Sequence, residues 1–206
     1  MDGRQNKWML FFFILFFSTT VLAKRPHLFI GISGGYGNYE DSFQNTGTNG
    51  LIGFSFGSLY PINSSFVIGN QLGFQTGAQI RLDNSLTSTM GSAIVPVFLN
   101  TKTPIDFLAI GRYNFHEPLF FQIKGGIALF SSTVSGGDIQ TKNSWLPDLQ
   151  AGIGFNVYKR SRVTMSYQQF FGSTPTVTPL DITEGTYRLR GIPTWRAAVL
   201  TFEHDL

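Results

Sequence analysis

FVIGNQLGFQTGAQIR, running from Phe66 to Arg81, separates into two sets when every second residue is read. Phe66, Ile68, Leu72, Phe74, Ala78 and Ile80 form one set, with Asn70 and Thr76 as its polar exceptions. Val67, Gly69, Gln71, Gly73, Gln75, Gly77, Gln79 and Arg81 form the other. Side chains alternate across a strand, so this is one long strand with an apolar face and a Gly/Gln face. A half-buried strand of a soluble sheet has the same pattern. Recurrence along the chain therefore decides the fold.

The pattern does recur. Leu28 to Tyr36 sets Leu28, Ile30, Ile32 and Tyr36 against Phe29, Gly31, Ser33 and Gly35. Gly50 to Tyr60 sets Ile52, Phe54 and Phe56 against Gly53, Ser55 and Gly57. Pro104 to Phe115 opposes Ile105, Phe107, Ala109 and Tyr113 to Asp106, Leu108, Ile110 and Arg112. Leu119 to Ser131, Trp145 to Tyr158, Arg162 to Phe171 and Trp195 to Leu206 complete a predicted set of eight strands. In the last of these, Ala198, Leu200 and Phe202 point one way, and Thr201 and Glu203 the other.

Connections alternate in length. Short turns are expected at Pro61–Ser64, His116–Pro118 and Lys159–Ser161. Longer loops rich in Gly, Ser, Thr and Asn are expected at Asn38–Asn49, Leu82–Lys102, Thr133–Ser144 and Gly172–Thr194. An even number of strands with short turns at one end and long loops at the other is the layout of an outer-membrane barrel. Predicted strand ends carry aromatics: Tyr60, Tyr113, Phe115 and Tyr158 at one rim, and Trp145, Phe171 and Trp195 at the other. Aromatic girdles of this kind mark membrane interfaces.

The first residues read as a targeting segment. Arg4 and Lys7 precede the apolar run Met9 to Phe17, and Val21-Leu22-Ala23 offers small residues at a cleavage site. The run falls short of the roughly 20 residues a spanning helix needs, so residues 1–23 are expected to be a signal peptide and 24–206 the barrel. Cysteine is absent, which excludes disulfides, thiolate metal sites and a lipidated cysteine. A net charge of +3 across 206 residues is too small for a nucleic-acid footprint.

With these features together, the chain resembles the small outer-membrane β-barrel proteins of Gram-negative bacteria, the OmpA/OmpX-type group. The resemblance covers Leu28 to Leu206 and rests on architecture, not on a signature motif. It implies an all-β, eight-stranded antiparallel up-and-down transmembrane barrel in the outer membrane, assembled with the barrel insertion machinery. Members usually end in an aromatic residue; here the chain ends TFEHDL, leaving Phe202 or Leu206 to serve.

Six charges fall on the polar face: Asp106, Arg112, Lys124, Asp148, Arg162 and Glu203. An eight-stranded lumen is only wide enough for side chains, and unpaired charges there cost several kcal/mol each. An ionic plug is the expected arrangement, with a narrow ion-conducting pore as the alternative. No enzyme is expected, since His27, His116 and His204 all fall at the predicted periplasmic rim, away from the outer leaflet. No cofactor or metal site is expected either. The loops suit contact with a surface or host ligand. Near the outer rim, Arg188, Arg190 and Arg196 are candidates for lipopolysaccharide phosphates, which arginine binds in bidentate fashion. The sequence thus points to a structural or surface-interaction protein.

Overall fold

The computed structural model describes residues 26–39, 49–76, 98–135, 140–173, 176–181, 186–190, 192 and 194–206. The strands are β1 (His27–Tyr39), β2 (Asn49–Pro61), β3 (Phe66–Thr76), β4 (Phe98–His116), β5 (Leu119–Ser135), β6 (Gln140–Tyr158), β7 (Ser161–Phe170), β8 (Thr176–Asp181), β9 (Thr186–Arg190) and β10 (Trp195–Asp205). Eight of them close a barrel in the order β1-β10-β7-β6-β5-β4-β3-β2, and β8 and β9 form a separate two-stranded sheet. Every pairing is antiparallel. Closure runs from Phe29 opposite Asp205 to Tyr39 opposite Trp195. It leaves the barrel sheet no free edge over that span.

Two of the short turns consist of two residues, Glu117–Pro118 and Lys159–Arg160. The turn between β2 and β3 is held by Asn63, whose Oδ1 accepts from the backbone N–H of Ser65 (2.9 Å) and Phe66 (2.7 Å). An Asn side chain can replace a backbone carbonyl in this way, which is why such residues mark turns. The opposite end departs from expectation. Strands β4, β5 and β6 reach 19, 17 and 19 residues, well beyond the roughly 9–11 that a tilted strand needs to cross the hydrocarbon. The expected loop Thr133–Ser144 is therefore mostly strand, and the expected loop Gly172–Thr194 contains the β8–β9 hairpin. Strand pairing extended the ladder through segments that turn-forming residues marked as loop. Residues 77–81 of the quoted stretch and 91–97 of the segment before β4 lie outside the described residues.

Proline shows how β4 starts early. The sequence placed the strand start at Pro104, yet the ladder to β5 continues above it, with a register shift between Lys102 and Ile105. Proline has no N–H to give, and a bulge lets the ladder skip that position.

The outer surface carries the expected apolar belt. Ile32, Ile52, Ile153, Met165 and Leu200 are each more than half exposed, an arrangement costly in water and favourable in hydrocarbon. Tyr113, Phe115 and Tyr158 are exposed at the short-turn rim, and Trp145 and Phe171 at the other. Two girdle assignments are corrected. Trp195 is 1% exposed and points into the barrel, and Tyr60 is buried with its OH within hydrogen-bond distance of Ser58 Oγ, at 3.2 Å. Asn70, a polar exception on the outer face, accepts a hydrogen bond from Ser58 at 3.0 Å.

Candidate functional site: the filled lumen

The lumen is built in layers, and its centre is Glu203 on β10. Its carboxylate is fully buried and takes Lys124 Nζ at 3.1 Å, Arg112 Nη2 at 3.2 Å and Arg162 Nε at 2.6 Å. Gly31, on the neighbouring β1, makes room: a Cβ there would lie 3.3 Å from Glu203 Cγ. Arg162 also pairs with Asp205 at 2.7 Å, and Lys124 donates to Gln71 Oε1 at 2.7 Å. Arg112 donates to Gln122 and lies 4.4 Å above the Phe120 ring, a geometry in which a guanidinium gains from the ring's negative face. Buried ions need this density of partners, because desolvation otherwise exceeds the attraction.

A second charged tier lies toward the long-connection end. Asp106 and Asp148 are 0% and 2% exposed. No ion pair reaches them among the described residues; amides serve them instead. Gln75 donates to Asp106 Oδ2 at 3.4 Å and to Gln168 Oε1 at 3.1 Å. Gln168 and Gln150 donate to Asp148 Oδ2 at 3.0 and 3.3 Å. The Asp106 carboxylate packs directly over Gly73 of β3. Gly73 of the quoted stretch thus does steric work: it leaves a narrow lumen room for an opposing charge.

Apolar layers bound the charges above and below. Toward the long connections, Tyr39, Leu51, Ala128, Phe130, Leu146, Phe170, Ile192, Trp195, Ala197 and Val199 form one buried cluster. Phe170 stacks on Trp195 with centroids 5.1 Å apart and meets Phe130 edge-on at 4.8 Å. The Trp195 ring lies against Gly37, where any larger residue would collide with it. Toward the short turns, Phe29, Leu59 and Ile110 form a second cluster with Val67 packed on it. The sequence reading emphasised a Gly, Gln, Asn, Ser and charge interior and gave these apolar layers no part in it.

All six charges read from the sequence therefore lie on the inner face. Four of them, Arg112, Lys124, Arg162 and Glu203, come together, while Asp106 and Asp148 stand apart with their glutamines. The sequence reading missed Asp205, and it placed the glutamines on the inner face without naming them as partners of the carboxylates. Residue parity along β10 would have found Asp205 and Trp195, which share the register of Glu203. Of the rim arginines, Arg196 is exposed on β10. Arg188 and Arg190 belong to β9, opposite Thr178 and Thr176. The histidines sit at the short-turn end: His27 opens β1, His116 ends β4, and His204 Nδ1 lies 2.9 Å from Ser161 Oγ.

A closed antiparallel barrel of eight strands, apolar outside and filled with polar and aromatic side chains inside, is the fold of the small outer-membrane β-barrels. The solved structure of Neisserial surface protein A has this fold: the match covers 89% of this chain and 99% of that one at a TM-score of 0.51, with 10% identity. Two further matches are Ail, the attachment invasion locus protein of Yersinia pestis (TM-score 0.45, 13% identity, 86% and 97% coverage), and the N-terminal β-barrel domain of Pseudomonas aeruginosa OprF (0.44, 13%, 88% and 100%). No protein-family model and no curated protein sequence matches the chain.

Proposed function

We propose that this protein is a non-catalytic scaffold of the outer membrane, closed to solutes, which presents its long-connection end to other molecules. The observation that carries this reading is the filled lumen. A wet path would have to pass the clustered Phe130, Phe170 and Trp195, cross a charge layer and then pass Phe29, Leu59 and Ile110. Residence in the outer membrane is supported by the apolar belt around a barrel of this class. A catalytic role has little to draw on, since the three histidines gather at the end opposite the extended strands and the hairpin.

What distinguishes the presenting end is its extra strand length and the β8–β9 hairpin. Lipopolysaccharide is the contact this reading favours. Arg196 is exposed on β10, next to the inward-facing Trp195, and Arg188 and Arg190 stand on the β8–β9 hairpin; arginine suits bidentate contact with phosphate. Loops at this end would be the surface that meets a ligand on another cell.

Two measurements test the reading. In planar bilayers the wild-type barrel should give little steady conductance; ion-selective current altered by Arg112→Ala or Lys124→Ala would overturn the closed scaffold in favour of the pore. Reversing Arg188, Arg190 and Arg196 to Glu should lower lipopolysaccharide retention in detergent extracts, with the heat-modifiable gel shift unchanged. Undiminished retention would remove the lipid contact and leave the scaffold.

A further inference from the structure

We propose that the middle of the lumen is a binding site for one water molecule, which bridges the Asp106 carboxylate to the Lys124 ammonium and joins the two charged tiers. A cavity of about 20 Å³ lies between them, with Ser33, Ser55, Gln75 and Gln150 also in its wall. That is room for a water held by both charges, since a single water needs about 10–15 Å³ of occupied volume.

Donor and acceptor counts on its wall are complementary to water. An ammonium has three N–H donors. Lys124 directs one to Gln71 Oε1 and one to Glu203 Oε1, which leaves a third for the cavity. Asp106 receives Gln75 at Oδ2, and its buried Oδ1 has no partner among the described residues. A ligand that accepts from Lys124 and donates to Asp106 Oδ1 satisfies both, and its second proton can go to a serine hydroxyl or the Gln150 carbonyl. A buried carboxylate oxygen left bare costs more than a bridging water loses by being held.

The charges also select against ions. The ammonium in the wall repels a cation at contact range, and the carboxylate repels an anion. A small neutral molecule able both to donate and to accept remains. Apolar clusters lie toward either end of the lumen, and a water held by both charges there exchanges slowly.

The test uses the whole chain refolded in detergent. A crystal structure that resolves solvent should show one peak within hydrogen-bond distance of both Asp106 Oδ1 and Lys124 Nζ. In solution, a long-lived water should give cross-relaxation to the side-chain amides of Gln71 and Gln75. Lys124→Met should remove both signals. Val199→Ile, which adds a methyl group to the cavity wall while leaving every charge in place, should remove them as well and keep the gel shift of the folded barrel. Four results would each overturn the proposal: Lys124 bonded directly to Asp106, an empty cavity, a peak with several short oxygen contacts that responds to replacing sodium by potassium, or signals unchanged in Val199→Ile.

Discussion

Glu203 and Asp148 are both buried carboxylates on the inner wall of one barrel, yet their surroundings have little in common. Glu203 is the shared counter-ion of three cations. Among the described residues, Asp148 is held by the amides of Gln150 and Gln168. The cations are pairwise repulsive without Glu203, so its charge is what allows them to be packed together. Asp148 has no such dependants, and the glutamines around it could keep an amide in its place. Equal burial therefore does not mean equal importance; the number of charges that rely on a group decides its weight.

The largest effect should follow from removing the shared anion. Glu203→Gln should cost about 3–5 kcal/mol, because it leaves buried cations unpaired. Urea unfolding in lipid vesicles, read by the heat-modifiable gel shift, measures this, and a loss under about 1 kcal/mol would erase the contrast between the tiers. Gly73→Ala should come next at about 1–3 kcal/mol, because its new methyl would overlap the Asp106 carboxylate and force the wall or the carboxylate to move. The same titration in which Gly73→Ala proves neutral would show that the Asp106 tier is loosely packed. Asp148→Asn should change stability least, by less than about 1 kcal/mol in either direction, since an amide of the same shape can still accept from Gln168 and Gln150 while a buried charge is removed. A cost for Asp148→Asn matching that of Glu203→Gln would mean that both tiers depend on their charge alike.

Much of this was legible in the residues. Alternation along Phe66–Thr76 and its repetition predicted eight barrel strands, and Asp106, Arg112 and Lys124 were placed inside by counting from their apolar neighbours. Counting was less well applied to aromatics. Phe29, Leu108, Ile110 and Phe120 fell on the polar face by parity, and Trp195 shares the parity of Glu203, yet a tryptophan at a strand end suggested a membrane girdle. Position along the strand and direction across it are separate coordinates, and only the second says whether a side chain meets lipid or lumen. The β8–β9 hairpin was hidden for another reason: Thr, Pro and Gly in 172–194 favour turns locally, and strand pairing there depends on partners that no local pattern names.

The sequence by itself determined the alternation, the number of strands that close the barrel and which charges must avoid lipid, because each of these follows from period two and from the cost of exposing a charge to hydrocarbon. Tertiary structure decided which of the inner residues meet. Glu203 lies 91, 79 and 41 positions from Arg112, Lys124 and Arg162, and only the register of strands around a closed, tilted barrel brings them to one height across its lumen.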